Sequence, residues 1–119
     1  MLQEITPPKT ETIVAVATPP GSGALGVLRL SGPSATNISR ALLSSLSDNL
    51  PPRRATFVRA IDQQGLIDQV VAVHFPGPNS ATGEDVVEIS AHGSPYILAR
   101  LLKAALAAGA TAARPGEFT

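Results

Sequence analysis

Two charges of opposite sign stand where charges are unusual. In VLRLS (27–31), alternation along an extended chain sends Leu28 and Leu30 to one side and Val27, Arg29 and Ser31 to the other, which plants a guanidinium in mid-strand. VVEIS (86–90) repeats the arrangement with a carboxylate: Val87 and Ile89 oppose Val86, Glu88 and Ser90. An isolated charge in so apolar a setting carries a large desolvation penalty unless it has a partner or water. Two readings follow. Arg29 and Glu88 form an ion pair or stand on a solvated sheet face. Alternatively they line a pocket whose ligand offers an anion to Arg29 and paired N–H donors to Glu88.

Other candidates are weaker. FPGPNSATG (75–83) is a turn-rich loop longer than a hairpin requires, and loops on a rigid scaffold concentrate binding residues. Asn79, Ser80 and Thr82 could hydrogen-bond a ligand, but they suit local turn bonding equally well. His92 leads into a helix start, a place where a lone histidine is more often structural than catalytic. Asn79 and His92 are therefore secondary lining candidates beside Arg29 and Glu88. Glu84 and Asp85 read as strand-entry residues, and nothing forms a nucleophile, base and orienter set. The chain has no cysteine, which removes disulfides and thiolate chemistry, and His74 and His92 are too far apart in sequence to suggest a metal pair. This chain alone is thus not expected to be a catalyst.

GSGALG (21–26) spells a dinucleotide-binding fingerprint, but the context is wrong for one. Phosphate binding needs a helix to begin at the last glycines, and VLRL is strand-like; a phosphate loop would instead need Lys and Ser or Thr where Val27 and Leu28 stand. A tight, glycine-permitted connection between strands is the better reading.

The elements that must position these residues can be read from period and punctuation. Residues 12–18 and 24–31 are β-branched or apolar runs stopped by Pro19-Pro20-Gly21 and Gly32-Pro33. Pro33 suits the first turn of a helix whose apolar side holds Ile38, Leu42, Leu43 and Leu46. Residues 55–61 and 66–75 read as strands about a four-residue connection, Asp62 to Gly65, and 86–91 as another. Ser94 with Pro95 opens a second helix with a stripe of Ile97, Leu98, Leu101, Leu102, Ala105 and Leu106, which Gly109 ends; residues 111–114 suggest a last strand. The expected fold is α/β of the α+β type: a mixed sheet with two main helices in the order β-β-α-β-β-β-α-β. Residues 1–10 should be a loose arm and 11–119 one domain.

Bulk composition sets limits on partners. Nine basic residues balance nine acidic ones, so there is no overall basic field for nucleic acid, and three Phe, one Tyr and no Trp argue against an aromatic base-stacking platform. The N-terminus lacks the basic start and apolar run of a signal peptide, and no stretch approaches 18 apolar residues. A soluble, cytoplasmic protein without membrane partners is expected.

TIVAVATPPG (12–21), GVLRLSG (26–32), FPGPNS (75–80), TGEDV (82–86), HG (92–93) and ARPGEF (113–118) resemble, in order and spacing, the N-terminal domain of the MnmE (TrmE) family of tRNA-modification GTPases. The resemblance implies half of a tetrahydrofolate-binding fold, similar to the folate domain of glycine-cleavage T proteins and completed by homodimerisation. It implies a longer protein, with helical and G domains beyond this chain, that uses GTP, Mg and K. With its FAD-containing partner MnmG (GidA), such a protein adds a carboxymethylaminomethyl-type group to carbon 5 of the wobble uridine of tRNA. The one-carbon unit comes from a folate, 5-formyl- or 5,10-methylene-tetrahydrofolate. Carried over by motif, the family's folate contacts are Arg29 and Glu88, whose carboxylate would accept the pterin N3–H and 2-amino group in a fork. Ser22 and Ser94 depart from the family's usual Arg and Gly, which leaves the ligand contacts of those loops unassigned.

Overall fold

The computed structural model describes residues 11–17, 25–44, 50–78 and 83–113. The elements run β1 (Ile13–Val16), β2 (Leu25–Ser31), α1 (Ala35–Leu42), β3 (Thr56–Asp62), β4 (Gly65–Phe75), β5 (Val86–His92), α2 (Pro95–Ala107) and β6 (Thr111–Ala112). That is the expected order. The strands form one six-stranded sheet in the order β3-β4-β5-β2-β1-β6, antiparallel except that β6 runs parallel to β1, so the sheet is mixed as expected. The expected N-terminal arm, residues 1–10, lies outside the described residues.

Alternation decides which face is buried. Val14 on β1, Leu28 and Leu30 on β2, Val87 and Ile89 on β5, Val70 and Ala72 on β4 and Val58 and Ala60 on β3 make one apolar surface. Ile38 and Leu42 of α1 and Leu101 and Ala105 of α2 close on that surface, so both helices lie on the same side of the sheet. Burying one such aliphatic side chain stabilises the fold by about 1.5–3 kcal/mol, and the stripe at spacings of three and four is what lets each helix bury several. Gly26, inside β2, lets α2 pack closely: a Cβ there would come within 2.7 Å of the Leu98 methyls, and that side chain would have to shift. The last glycine of the GSGALG run thus serves close helix-to-strand approach, and β2, not a helix, occupies the positions that follow it.

Local signals placed the ends of α2 but not those of α1: Pro33, expected in the first turn, precedes the helix, which starts at Ala35 with Ser34 as its N-cap. Ser94 accepts a hydrogen bond from the Ile97 N–H and Pro95 fills the first helical position of α2; Gly109, at φ 117°, lies just past its end in the left-handed region that glycine tolerates. The expected first helix, however, stops at Leu42. Leu43 is extended and bridges Ala60 of β3, so it reaches the core as an edge residue and not as a further turn of helix. Leu46 lies outside the described residues. The Asp62 to Gly65 connection is tighter than expected, because Asp62 and Gly65 are themselves paired and only Gln63 and Gln64 form the turn. The Asp62 carboxylate accepts the Gln64 N–H at 2.8 Å there.

Asp62 also anchors α2 to this hairpin. Arg100 donates through Nε at 2.9 Å and Nη2 at 2.6 Å, and its Nη1 reaches the Leu66 carbonyl at 3.3 Å, with the guanidinium 5.7 Å from the Tyr96 ring centre. The Arg100 guanidinium holds the Asp62 carboxyl below the usual carboxylate range, and the Gln64 N–H acts in the same direction. Because the folded pKa is below the unfolded one, the contact stabilises the chain above the unfolded value, about 3.9, and that contribution is lost as pH falls through the folded value. Thermal melts of the wild type and Arg100→Gln should differ most near neutrality and converge in strong acid; a gap independent of pH would show that Asp62 is not the partner that matters.

Candidate functional site

The face of the sheet opposite the helices carries the charges singled out by the sequence. β2 and β5 are aligned so that Arg29 faces Glu88 directly, with Ala15 of β1 on one side of the pair and Val73 of β4 on the other. The next row across the sheet is Val27, Ser90, Val71 and Phe57. Among the described residues neither helix covers these rows. The two charges therefore sit among largely apolar neighbours, with the row of Val27, Ser90 and Val71 on one side and a buried row of Ile13, Ser31 and Val86 on the other.

Their geometry is closed. Arg29 Nε donates to Glu88 Oε2 at 2.9 Å and Nη2 approaches the same oxygen at 2.7 Å, with the side chains 28% and 29% exposed. The first reading, an ion pair, is thus realised, and the second is not excluded by it. Two donors on one carboxylate oxygen occupy both of its lone pairs. A ligand with two parallel N–H donors would need both oxygens of Glu88, so Arg29 would have to yield Oε2 and turn its guanidinium to an acceptor on the same ligand.

His92 ends β5 on the same strand face as Glu88, two alternations along, and lies opposite Leu25. Its ring is 70% exposed, and its Nδ1 lies 2.9 Å from Asp68 Oδ2, which also accepts the His92 backbone N–H at 2.9 Å. Burial opposes ionisation of Asp68, and the hydrogen bonds from the His92 backbone and ring outweigh it, so its carboxyl is held below its ordinary range. His92 is thus fixed by a carboxylate that the sequence reading missed. The two are 24 residues apart, with no motif joining them. Asn79 lies outside the described residues. Glu84 and Asp85 are strand-entry residues as expected: Asp85 accepts the Gly77 N–H at 3.0 Å, and the Ser31 hydroxyl reaches Glu84 at 3.5 Å. His74 lies far from His92 along β4, its Nε2 3.6 Å from Asp85. No group of three or more metal-ligating side chains occurs among the described residues.

A groove of about 520 Å³ lies on the helical side, lined by Leu42, Ile61, Gln64, Arg100, Lys103 and Ala104 among others. Neither Arg29 nor Glu88 lines it. The concavity and the charge pair are separate features of the molecule.

Fold and site together define an α/β domain with one helix-covered sheet face and, on the other, an ion pair on rows that neither helix covers among the described residues. Residues 12–119 match the family described as GTP-binding protein TrmE N-terminus. The chain is 50% identical over 110 residues to a tRNA modification GTPase MnmE of Legionella pneumophila (strain Corby) and 49% identical over 109 residues to that of Coxiella burnetii (strain RSA 493 / Nine Mile phase I). It is 51% identical over 112 residues to that of Yersinia pseudotuberculosis serotype O:1b. Each match covers 92% of this chain and 24% of the relative, so the chain spans about a quarter of the length of these proteins. The chain belongs to the TrmE N-terminal family. No helix among the described residues is long and apolar enough to cross a membrane.

A part-exposed pair of this kind contributes little to stability. A double-mutant cycle on Arg29→Gln and Glu88→Gln, followed by urea denaturation, should give a coupling of about 0.5–1 kcal/mol that shrinks with added salt. A coupling several times larger would mark the pair as a structural element first.

Proposed function

We propose that this chain is the tetrahydrofolate-binding and homodimer-forming N-terminal domain of a cytoplasmic tRNA-modification GTPase. The longer protein would hydrolyse GTP with Mg and K in domains outside this chain. With an MnmG-type partner it would add a carboxymethylaminomethyl-type group to carbon 5 of the wobble uridine of tRNA. Membership of the family carries the wider reading, and the observation that carries the folate site is the Arg29–Glu88 pair at the centre of the open face.

The donor set suits the ligand's chemistry. A pterin presents its N3–H and 2-amino group side by side, and Glu88 is a carboxylate that can accept both once Arg29 releases Oε2. Arg29 then serves carbonyl or anionic groups of the same molecule. Bound folate would supply the one-carbon unit; the protein's own residues bind and orient it and take no part in bond making. Val27, Val71 and Val73 offer an apolar bed beside the pair, while His92 and Asn79 stand as secondary lining candidates. A second copy of the chain would cover the open face and complete a folate-domain-like body.

The closure of the ion pair on itself supports a second reading, a dimerisation module with no ligand of its own. Calorimetric titration with 5-formyltetrahydrofolate and 5,10-methylene-tetrahydrofolate separates the two. Saturable binding should weaken about tenfold to a hundredfold in Glu88→Gln and Arg29→Gln, the size of a lost charge-assisted hydrogen bond, while each variant still unfolds cooperatively with a melting temperature lowered by only a few degrees. A dimer by sedimentation that gives no heat with either folate would leave only the second reading.

A further inference from the structure

The groove on the helical side has a charge balance of its own. Residues 33–44 and 95–113, which hold α1 and α2, contain Arg40, Arg100 and Lys103 and no Asp or Glu. Among the described residues the one carboxylate that lines the groove is Asp62 of the hairpin, and both of its oxygens are held by Arg100, at 2.9 and 2.6 Å. Its charge is thus cancelled within the wall. Lys103 is exposed and forms no ion pair among the described residues; it lies one turn along α2 from Arg100, on the same side of the helix. Two cations against one anion leave the lining with a surplus positive charge, placed at Lys103. Beside it the floor is apolar: Leu42 from α1, Ile61 from β3, and Ala104 and Ala107 from α2.

We infer that this groove binds a small amphipathic anion, a carboxylate on an apolar body, with the carboxylate on Lys103 and the body against Leu42, Ile61, Ala104 and Ala107. The volume, about 520 Å³, falls within the range of roughly 300–1,000 Å³ that small-molecule pockets occupy. A polyphosphate would use Lys103 but leave the apolar floor in water. A wholly apolar molecule would cover the floor and strip water from the ammonium group with nothing in exchange. A docked helix, about 10 Å across, would fill the space with little more than a single turn, too few side chains to hold a protein partner. The end of α2 sets the orientation: its last carbonyls carry partial negative charge, so the carboxylate lies towards Arg100 and Lys103 and the apolar end towards Ala107 and Ala108. The groove is on the helix-covered side of the sheet, so neither the Arg29–Glu88 pair nor a second copy over the opposite face contributes to it.

Amide chemical-shift mapping of the chain with decanoate, kept below the concentration at which it forms micelles, tests the assignment, with decanol as the uncharged counterpart. Decanoate should give saturable shifts concentrated in residues 61–64 and 100–108, and decanol should bind about tenfold more weakly or worse. Lys103→Glu, at an exposed position where the fold should survive, should weaken decanoate about tenfold or more. Arg40→Glu, the same change of charge on α1 outside the lining, should alter binding by no more than about twofold, since solvent and salt screen it. Ala107→Trp, which sets an indole into the groove from an exposed position, should abolish the shifts in a chain that still folds. Equal binding of decanol, equal losses in Arg40→Glu, undiminished binding in Ala107→Trp, or no saturable shift in the wild type would overturn the inference. So would groove shifts that follow protein concentration before decanoate is added, because a second copy would then be the occupant. Cross-titration keeps the two proposals apart: Glu88→Gln should take decanoate as the wild type does, and Lys103→Glu should take 5-formyltetrahydrofolate as the wild type does. Folate shifts at 27–31 and 86–90 in a chain whose groove ignores decanoate would sink this site alone.

Discussion

The antiparallel alignment of β2 with β5 governs both faces of this molecule at once. In the observed register Leu28 meets Ile89 and Leu30 meets Val87 beneath the helices, while Arg29 meets Glu88 on the other side. A slip of one residue in either strand would carry its leucines or valines to water and drive its charge under α1 and α2, where nothing could solvate it. The hydrophobic core therefore fixes the ion pair. No separate device is needed to bring residues 59 positions apart within 2.9 Å.

That coupling gives the open face its character. Its central charges are mutually neutralised and largely apolar neighbours surround them, so the surface is neither a solvated polar face nor an uninterrupted hydrophobic one. The relatives named as tRNA modification GTPases are about four times as long as this chain. Two further polar contacts join separate elements, Arg100 with Asp62 and His92 with Asp68.

Much of this was legible in the sequence because it rests on short-range rules. Alternation assigned Leu28, Arg29, Glu88 and Ile89 to their faces, and Ser94, Pro95 and Gly109 bounded α2. What alternation cannot give is partnership. The Arg29–Glu88 pairing remained one of two readings until the strand order was known, and Asp68 and Asp62 were invisible as partners because they meet His92 and Arg100 across 24 and 38 residues. Leu43 escaped for a different reason: its spacing fits the helical stripe, but a bridge to Ala60 at the sheet edge outweighs one more helical turn. The groove between the helices and the β3–β4 turn had no signature at all, being a product of packing.

The central claim is that the ion pair on the open face is where a pterin-bearing ligand is held. Amide chemical-shift mapping of the isotopically labelled chain during addition of 5-formyltetrahydrofolate addresses it most directly. The account predicts shifts concentrated in residues 27–31 and 86–90, with smaller ones at 71–73. Shifts confined to 61–64 and 100–108, around the groove on the opposite side, would contradict it.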